Sequence, residues 1–342
     1  MKRILISASD PGAANALFPL VSQLRSDDFL LDIVLSKEAK VIFNNQKIKF
    51  IDGDKMNTRE LTGILARNYD IYLSGSSIGN TLDKKLLEYV KLKGVTSVCL
   101  LDYWTYYWQR FSKNYKDFYF IPDYILVMDK RAKKEMVAQG FNPKTLVVTG
   151  NPYFEYFLSR IYEKAENQTI IFISQPLSAM PDYNTNLYRG YDEFEVLQDV
   201  IEALREIGKD YELKICLHPK EKNNKYNKYL DNKNVHIDRD PLETSISSAG
   251  LVIGMTSIVL FLSSAAGKTV LSYQPKLKKK YRLDTNSKIV GRLITSKQDL
   301  KLYLKSYFKY THANFKRVVN TTYKIEKGST ENIVKFLSKL TK

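Results

Sequence analysis

The sequence predicts an α/β protein built from two doubly wound domains, each with a parallel sheet. Three observations support this fold class. At 342 residues the chain exceeds what one hydrophobic core usually supports. Short apolar strands alternate with helix-length amphipathic segments, which is typical of parallel sheets covered on both faces. Residues 151–167 read as a helix and loop that interrupt this alternation and divide the strands into two series.

The strands of both series are short, nearly continuous apolar runs. The first series is KRILISA (2–8), LLDIVLS (30–36), DIYLSGS (70–76), TSVCLLD (96–102), YILVMD (124–129) and TLVVTG (145–150). The second is TIIFIS (169–174), ELKICLH (212–218), NVHID (234–238), LVIGM (251–255) and TVLSYQ (269–274). We therefore expect a first domain at 1–150, a linker at 151–167 and a second domain at 168–328. The segment 329–342 predicts a final helix, capped by Ser329, whose apolar face packs back on the first domain.

Composition indicates a folded, intracellular protein. Hydrophobic residues make up 44% of the chain, which is ample for globular cores. Cys99 and Cys216 lie in apolar runs, so we expect buried free thiols, a reducing cytoplasm and no metal site. The start MKRILISASDPG is too short an apolar stretch for a signal peptide, and no run reaches the length of a membrane-spanning helix.

The net charge of +16 is concentrated at the end of the chain. Residues 276–342 contain 18 Lys and Arg against 4 Asp and Glu. Such a sector attracts nucleic acid, anionic lipid or a phosphorylated substrate, whereas a merely solvated lysine-rich surface is the simpler interpretation. Peripheral contact with an anionic membrane at its inner face therefore enters as a hypothesis, with SYQPKLKKKYRLD (272–284) as one contact.

Open α/β sheets bind ligands beyond the carboxyl ends of their strands, so the functional residues are sought there. In the first domain, SASDPGAANALFPL places Asp10 and Gly12 where a helix begins. A helix start with glycine nearby suits an anionic group, and Asp10 suits a general base toward a hydroxyl. Capping of the helix is an equally good explanation for Asp10. The segment is not GxGxxG, so a dinucleotide site is not indicated.

The second domain carries polar residues after three strands. Ser174 and Gln175 precede a proline, and His218-Pro219-Lys220 ends the run LKICLHPKE. Thr256-Ser257 opens a helix whose free N–H groups form a phosphate cradle. A lone histidine at a strand end more often has a structural role. The polar residues after the three strands together nevertheless favour an anionic ligand. His218 would then act as hydrogen-bond donor or general acid toward a departing phosphate.

The stretch LDYWTYYWQRFSKNYKDFYF (101–120) is rich in aromatic residues and follows a buried strand. Aromatic faces stack on sugars and also settle at membrane interfaces, while a core or dimer-interface segment explains the pattern equally well. Asn15, Tyr103, Trp104 and Arg110 are the acceptor-side residues that we single out.

These motifs resemble the donor domain of GT-B glycosyltransferases, whose two Rossmann-like domains face each other across a cleft. The resemblance is to the bacterial sialyltransferase, polysialyltransferase and teichoic-acid glycerophosphotransferase group. His218-Pro219 matches the HP motif, and Thr256-Ser257 stands at the SS motif with threonine replacing the first serine. IFISQPL (171–177) resembles the first donor-domain strand, and VTGNPYFEYF (148–157) resembles the interdomain stretch of UDP-GlcNAc 2-epimerase-like proteins. The likeness spans most of residues 145–275.

The resemblance implies an inverting, metal-independent glycosyltransferase that needs no cofactor. Its donor would be a nucleotide sugar, by preference CMP-linked sialic acid, Kdo, legionaminic acid or pseudaminic acid. Its acceptor would be a bacterial surface glycan, glycolipid or glycoprotein. Asp10 would be the base, with Glu155, Asp102 and Asp182 as replacements because no D/E-D/E-G motif is present.

Two alternatives stay open. One is a UDP-sugar transferase or UDP-GlcNAc 2-epimerase-like enzyme on the same fold, although the acidic and basic residues of such epimerases show no clear pattern here. The other is a basic nucleic-acid-binding protein, which is not expected because the chain lacks a recognition module.

Overall fold

A computed structural model of the chain describes residues 1–27, 29–79, 81–114, 117–162, 166–179, 190–230, 233–278, 292–309 and 325–341. The chain forms two compact units. The first consists of Met1–Tyr156 with Ile325–Lys342, and the second of Phe157–Lys324. The division falls inside the helix Pro152–Arg160, within the segment predicted as a linker.

The first unit is a seven-stranded sheet with its covering helices. Its strands are β1 (Lys2–Ala8), β2 (Phe29–Leu35), β3 (Ile51–Asp52), β4 (Ile71–Gly75), β5 (Thr96–Leu100), β6 (Tyr124–Val127) and β7 (Leu146–Val148). Its helices are α1 (Pro11–Ser26), α2 (Ala39–Asn45), α3 (Thr58–Leu65), α4 (Leu82–Leu92), α5 (Tyr107–Phe111) and α6 (Lys130–Ala138), with α7 (Pro152–Arg160) at the unit boundary.

All strand pairs of this sheet are parallel, in the order β3-β2-β1-β4-β5-β6-β7. The central strands are buried along nearly their whole length, as expected for a sheet covered on both faces. The order reverses between β1 and β4. Helix α1 crosses close to this point, because a Cβ on Gly75 would lie only 2.4 Å from the Cβ of Ala13.

The second unit contains a six-stranded sheet. Its strands are β8 (Glu166–Ile173), β9 (Glu212–Cys216), β10 (Val235–Ile237), β11 (Ala249–Gly254), β12 (Thr269–Tyr273) and β13 (Arg292–Ile294). Its helices are α8 (Glu193–Ile207), α9 (Leu242–Ser248), α10 (Ile258–Ala265) and α11 (Lys297–Lys309). The strands are again all parallel, in the order β10-β9-β8-β11-β12-β13, so the order reverses between β8 and β11. The predicted α/β class with two parallel sheets is confirmed.

The final helix, α12 (Ser329–Leu340), belongs to the first unit. Ile333 and Leu337 are fully buried, and the ring of Phe336 meets that of Tyr124 with centroids 5.2 Å apart. The prediction that Ser329 caps this helix is wrong. Gly328 is the N-cap residue, and the Glu155 carboxylate of α7 accepts hydrogen bonds from the backbone N–H groups of Gly328 and Ser329. A side chain distant in sequence thus replaces the local cap.

Three lysines in the described part of the basic sector form ion pairs with one helix. Lys276 pairs with Glu195 at 2.5 Å, Lys297 with Glu202 at 2.5 Å, and Lys301 with Glu206. All three glutamates lie on α8. Asp182 and residues 279–284 of the predicted contact stretch lie outside the described residues. Within the described ranges no helix is both long and apolar enough to cross a membrane.

Candidate functional site

At the carboxyl edge of the first sheet, Asp10 follows β1 and occupies the N-cap position of α1. Its side chain makes no hydrogen bond to the helix amides. Instead, Oδ2 accepts a hydrogen bond of 2.9 Å from the backbone N–H of Ile78, in the loop after β4. The backbone N–H of Asp10 donates to the Ser77 hydroxyl at 3.2 Å. The geometry thus gives no support to a capping role, and the general-base role of Asp10 stays a prediction.

Asp102, which follows β5, is a second carboxylate at the same edge. Its Oδ1 forms an ion pair of 2.5 Å with Nη1 of Arg110 and accepts a 2.7 Å hydrogen bond from the Ser76 hydroxyl. Arg110 is buried and also donates to the carbonyl oxygen of Ser76. A Cβ on Gly12 would lie 2.1 Å from Oδ2 of Asp102. The start of α1 therefore presses against this carboxylate, and glycine at position 12 leaves room for it.

Two buried ionisable groups lie on α4 beside this edge. Asp83 accepts a hydrogen bond from the Ser9 hydroxyl, and burial raises the pKa of its carboxyl. Lys84 donates to the carbonyl oxygen of Gln109 at 3.3 Å, and burial lowers the pKa of its ammonium group. Desolvation disfavours the charged form of both groups. Sequence reasoning missed this pair because an Asp-Lys dipeptide on an amphipathic helix indicates a solvated face.

The acceptor-side residues occupy different environments. Trp104 is 2% exposed, donates Nε1–H to Asp129 at 2.7 Å and stacks on Phe154. Its position is that of a core residue, and it adds no support to acceptor contact. Tyr103 and Asn15 are partly exposed. Arg110 contacts the protein's own Asp102, as described above. The acceptor roles of these four residues therefore stay predictions.

At the carboxyl edge of the second sheet, His218 lies just beyond β9. Its Nδ1 accepts a 3.1 Å hydrogen bond from the backbone N–H of Lys220. The neutral imidazole consequently carries its proton on Nε2, which makes Nε2–H the donor. The backbone N–H of His218 donates to Oε2 of Glu221 at 2.7 Å, so the loop holds the ring through Nδ1 and the backbone through Glu221. Pro219 forms the turn between them.

Gln175 and Thr256 join the ends of β8 and β11. Oε1 of Gln175 accepts from the backbone N–H of Thr256 at 2.8 Å and from its hydroxyl at 3.3 Å. Ser257 is the N-cap residue of α10, and its hydroxyl accepts from the N–H of Val259 at 3.2 Å. Residues predicted from three separate strand ends thus lie at neighbouring strands of one edge, with a helix N-terminus among them.

A network behind His218 was not predicted. The Ser174 hydroxyl lies 2.8 Å from Oε1 of Glu221 and 2.5 Å from the Tyr226 hydroxyl. Lys225 pairs with Glu221 at 2.6 Å and also with Glu193. Ser174 therefore braces the histidine loop through Glu221. No strand-end pattern could have revealed Glu221 and Tyr226, since both lie in the loop and acquire these partners only in the tertiary structure.

The described residues contain no group of three His, Cys, Asp or Glu side chains placed to hold a metal ion. In the first unit the edge offers carboxylates held by hydrogen bonds and an ion pair. In the second unit it offers an imidazole N–H, hydroxyls and helix amides. The first set suits proton abstraction, and the second suits an anionic ligand.

No model of a known protein family matches the sequence, and no curated protein sequence matches it. Solved structures do match. The UDP-GlcNAc 2-epimerase from Neisseria meningitidis, bound to UDP-GlcNAc, is 12% identical with a TM-score of 0.68, over 99% of this chain and 100% of that one. The enzyme from Methanocaldococcus jannaschii, in complex with UDP-GlcNAc and UDP, is 15% identical with a TM-score of 0.64, over 99% and 100%. The glycotransferase of kitacinnamycin is 10% identical with a TM-score of 0.56, over 99% and 95%.

These similarities establish the fold: the chain has the two-domain α/β architecture of the GT-B type. They also correct one expectation. The prediction that the protein transfers a CMP-activated sialic acid, Kdo or related acidic sugar is wrong. The UDP-GlcNAc 2-epimerases among the similar structures perform a different reaction. The HP and SS-like motifs misled because they are short and concern the phosphate, which CMP-linked and UDP-linked sugars share.

Proposed function

We propose that this protein is an enzyme that acts on a UDP-linked sugar, with a reaction of the 2-epimerase type. The observation that carries the proposal is the fixed imidazole of His218, whose Nε2–H donor shares one sheet edge with Thr256, Ser257 and the N-terminus of α10. The likeness to UDP-sugar epimerases over 99% of the chain supports UDP as the nucleotide.

On this proposal the edge of the second sheet binds the diphosphate. The N–H groups that begin α10 and the Ser257 hydroxyl, which accepts from Val259 and keeps its own proton to donate, bind phosphate oxygens, and Lys220 adds a positive charge. Negative charge grows on the phosphate oxygen when its bond to the sugar breaks. The Nε2–H of His218 then stabilises this oxygen as hydrogen-bond donor or general acid. Gln175 holds Thr256 in place, and Glu221 holds the histidine loop.

Inversion at C2 of a sugar requires removal of a proton from C2 and return of a proton on the other face. The electron pair of the C2–H bond forms a C1=C2 double bond as the bond from C1 to the phosphate oxygen breaks, and UDP adds back to C1 when C2 is protonated. A carboxylate is a suitable base for this step. We assign the role to Asp102, because Arg110 and Ser76 fix the position of its carboxylate at this edge. Asp10 is the second carboxylate at that edge. Both residues belong to the first unit, whose acidic and basic groups gave no recognisable pattern in the sequence.

A UDP-sugar transferase is the second candidate function. It is favoured by the likeness to the glycotransferase of kitacinnamycin, although the TM-score of 0.56 is lower than those of the epimerases. Departure of UDP from the sugar is common to both reactions. They differ in the fate of the sugar, which is joined to UDP again in epimerisation and moves to an acceptor in transfer.

Isothermal titration calorimetry with UDP and CMP tests the nucleotide site. A hydrogen bond to a charged group contributes about 1.5–3 kcal/mol, so His218→Ala is expected to weaken UDP binding about 10- to 100-fold. His236→Ala is the matched control, since His236 lies on β10 and pairs with Glu212 at 3.0 Å. Equal affinity for CMP and UDP, or full UDP affinity in His218→Ala, would contradict the proposal.

A further inference from the structure

An apolar surface surrounded by lysines lies at the amino ends of β5, β6 and β7, opposite the edge that holds Asp102. Leu92, the last residue of α4, is 87% exposed, and Tyr119 and Val137 are 51% and 39% exposed. Neighbouring exposed apolar side chains of this size mark interaction surfaces more often than isolated ones do. We call this surface the Leu92 face; it comprises Leu92, Tyr119 and Val137 with Lys91, Lys93, Lys113, Lys134 and Lys144.

Direct contacts within this surface join the end of α4 to the loop before β6. The Lys91 ammonium donates to the carbonyl oxygen of Ile121 at 2.8 Å, which ties the end of α4 to the loop before β6. The Glu88 carboxylate, one helical turn before Leu92 on α4, raises the pKa of the Tyr119 hydroxyl, so the two groups are neighbours. The Lys113 ammonium lies 4.7 Å from the centre of the Tyr119 ring. The loop and the helix end therefore present their apolar groups together.

A cavity of about 520 Å³ opens within this face. Phe118, Tyr124 and Phe141 contribute aromatic side chains to its walls, and Lys91 and Lys144 also line it. The rings of Phe118 and Phe141 meet with centroids 4.8 Å apart. The face thus contains a cavity with aromatic walls, and lysines lie around it.

The carboxylates near the face are engaged by the protein itself. Asp117 accepts hydrogen bonds from the backbone N–H groups of Lys113 at 3.0 Å and Tyr119 at 2.9 Å, and these bonds lower the pKa of its carboxyl. Asp123 accepts from both the N–H and the hydroxyl of Ser97 at 2.7 Å. The lysine side chains, in contrast, are exposed at positions 91, 93, 113, 134 and 144. The face therefore carries five lysines against the carboxylates of Glu88, Asp117 and Asp123, which leaves a net charge of +2.

We propose that the Leu92 face docks the protein onto a membrane surface that carries anionic lipids. Leu92 and Tyr119 enter the headgroup region, where an aliphatic chain is buried and a tyrosine ring settles with its hydroxyl in water. The surrounding lysines pair with the anionic headgroups and keep their stems along the apolar surface. This role is independent of the UDP-sugar chemistry, because it uses the opposite edge of the first sheet.

A second copy of the chain fits this face less well than a membrane does. Two copies related by a two-fold axis would bring lysines against lysines, and lysine is depleted in dimer interfaces. A stable dimer also buries about 800 Å² on each partner around an apolar centre. The three exposed apolar side chains are too few to form such a centre.

Vesicle flotation of the full-length protein tests the proposal. The vesicles are phosphatidylcholine alone, or phosphatidylcholine with about one quarter phosphatidylglycerol. We expect binding to the anionic vesicles that falls as salt rises from about 0.1 M to about 0.5 M. Leu92→Ser is expected to weaken binding about tenfold, because the favourable transfer of the leucine side chain from water into the headgroup region is lost. Leu302→Ser is the matched control, because Leu302 is 55% exposed on the lysine-rich helix α11.

A charge test complements it. Lys93→Glu combined with Lys113→Glu is expected to weaken binding about 25-fold or more, whereas Lys209→Glu with Lys222→Glu, in the second unit, leaves it nearly unchanged. Equal binding to neutral and anionic vesicles, or equal losses in a variant and its control, overturns the proposal. Light scattering, which measures the molar mass, tests whether a second copy of the chain occupies the face. If Leu92→Ser turns a dimer into a monomer, the face joins copies of the chain and the proposal is wrong.

Discussion

Substitution of Gly12 by alanine tests whether the position of Asp102 matters for the reaction. The new Cβ would lie 2.1 Å from Oδ2 of Asp102, whereas nonbonded heavy atoms approach to about 3.5 Å without repulsion. The carboxylate must therefore move by about 1 Å or more. Its other oxygen is held by Arg110 and Ser76, so this movement stretches or breaks those bonds. A misplacement of about 1 Å can reduce turnover about 100-fold.

The change in stability should be small by comparison. Alanine is favoured over glycine in a helix by about 1 kcal/mol, and overpacking costs about 1–3 kcal/mol. We therefore expect Gly12→Ala to lower the free energy of unfolding by about 0–2 kcal/mol. The double variant Gly12→Ala/Asp102→Ala should recover stability relative to the sum of the single changes, because it removes the clash.

The assay is turnover of a UDP-linked N-acetylhexosamine, with urea unfolding for stability. Gly63→Ala is the control, since Gly63 lies in α3 and a Cβ there meets nothing within 4 Å. It should keep full turnover and gain about 0.5–1 kcal/mol of stability. Wild-type turnover in Gly12→Ala would refute the assignment of Asp102.

Three further predictions concern stability and reactivity. Glu155→Gln should lower the free energy of unfolding by about 1–2 kcal/mol in thermal or urea unfolding, because the Glu155 carboxylate caps α12. The substitution should leave UDP affinity unchanged. Unaltered stability would refute the capping role. Burial raises the pKa of the Cys99 thiol to about 12, so Cys99 should resist iodoacetamide at pH 8 in the folded protein and react once urea unfolds it; rapid labelling of the native protein would contradict its burial. Burial raises the pKa of Asp83, so its protonated form favours the folded state: this stability is complete below the ordinary pKa and is lost as pH rises through the raised one. The melting temperature of wild type minus that of Asp83→Asn should therefore fall as pH rises from about 4, and a rising difference would show that the sign is wrong.

Strands were predictable wherever burial on both sheet faces demanded an apolar run. Each of the eleven predicted runs overlaps a strand, because the inner strands of a covered parallel sheet have little choice of composition. The sequence did not predict β3 and β13. Both are edge strands of two and three residues with partly exposed side chains, so neither produces an apolar run.

The second-unit edge was more predictable than the first. His218, Gln175 and Thr256 each follow a strand directly, and parallel strands bring such residues to one edge. The Asp102–Arg110 ion pair, by contrast, spans eight positions that follow no strand or helix period. It forms because the intervening loop turns at Tyr106, which adopts a left-handed conformation with φ of 59°. A tertiary turn of this kind leaves no pattern in the residue types.

The nucleotide was predicted incorrectly for a related reason. The residues that sequence reasoning identified suit phosphate oxygens, and such oxygens occur both in CMP-linked sugars, with one phosphate, and in UDP-linked sugars, with two. Recognition of the base and the sugar depends on contacts that no short motif encodes.

Proton NMR of UDP-GlcNAc incubated with the protein in D₂O tests the central claim most directly. Inversion at C2 breaks the bond between C2 and its hydrogen, so we expect signals of the C2 epimer and loss of the C2 proton signal as deuterium enters. Both changes should slow strongly in His218→Ala and Asp102→Ala. An unchanged UDP-GlcNAc spectrum, together with consumption of a CMP-linked sugar, would contradict the account.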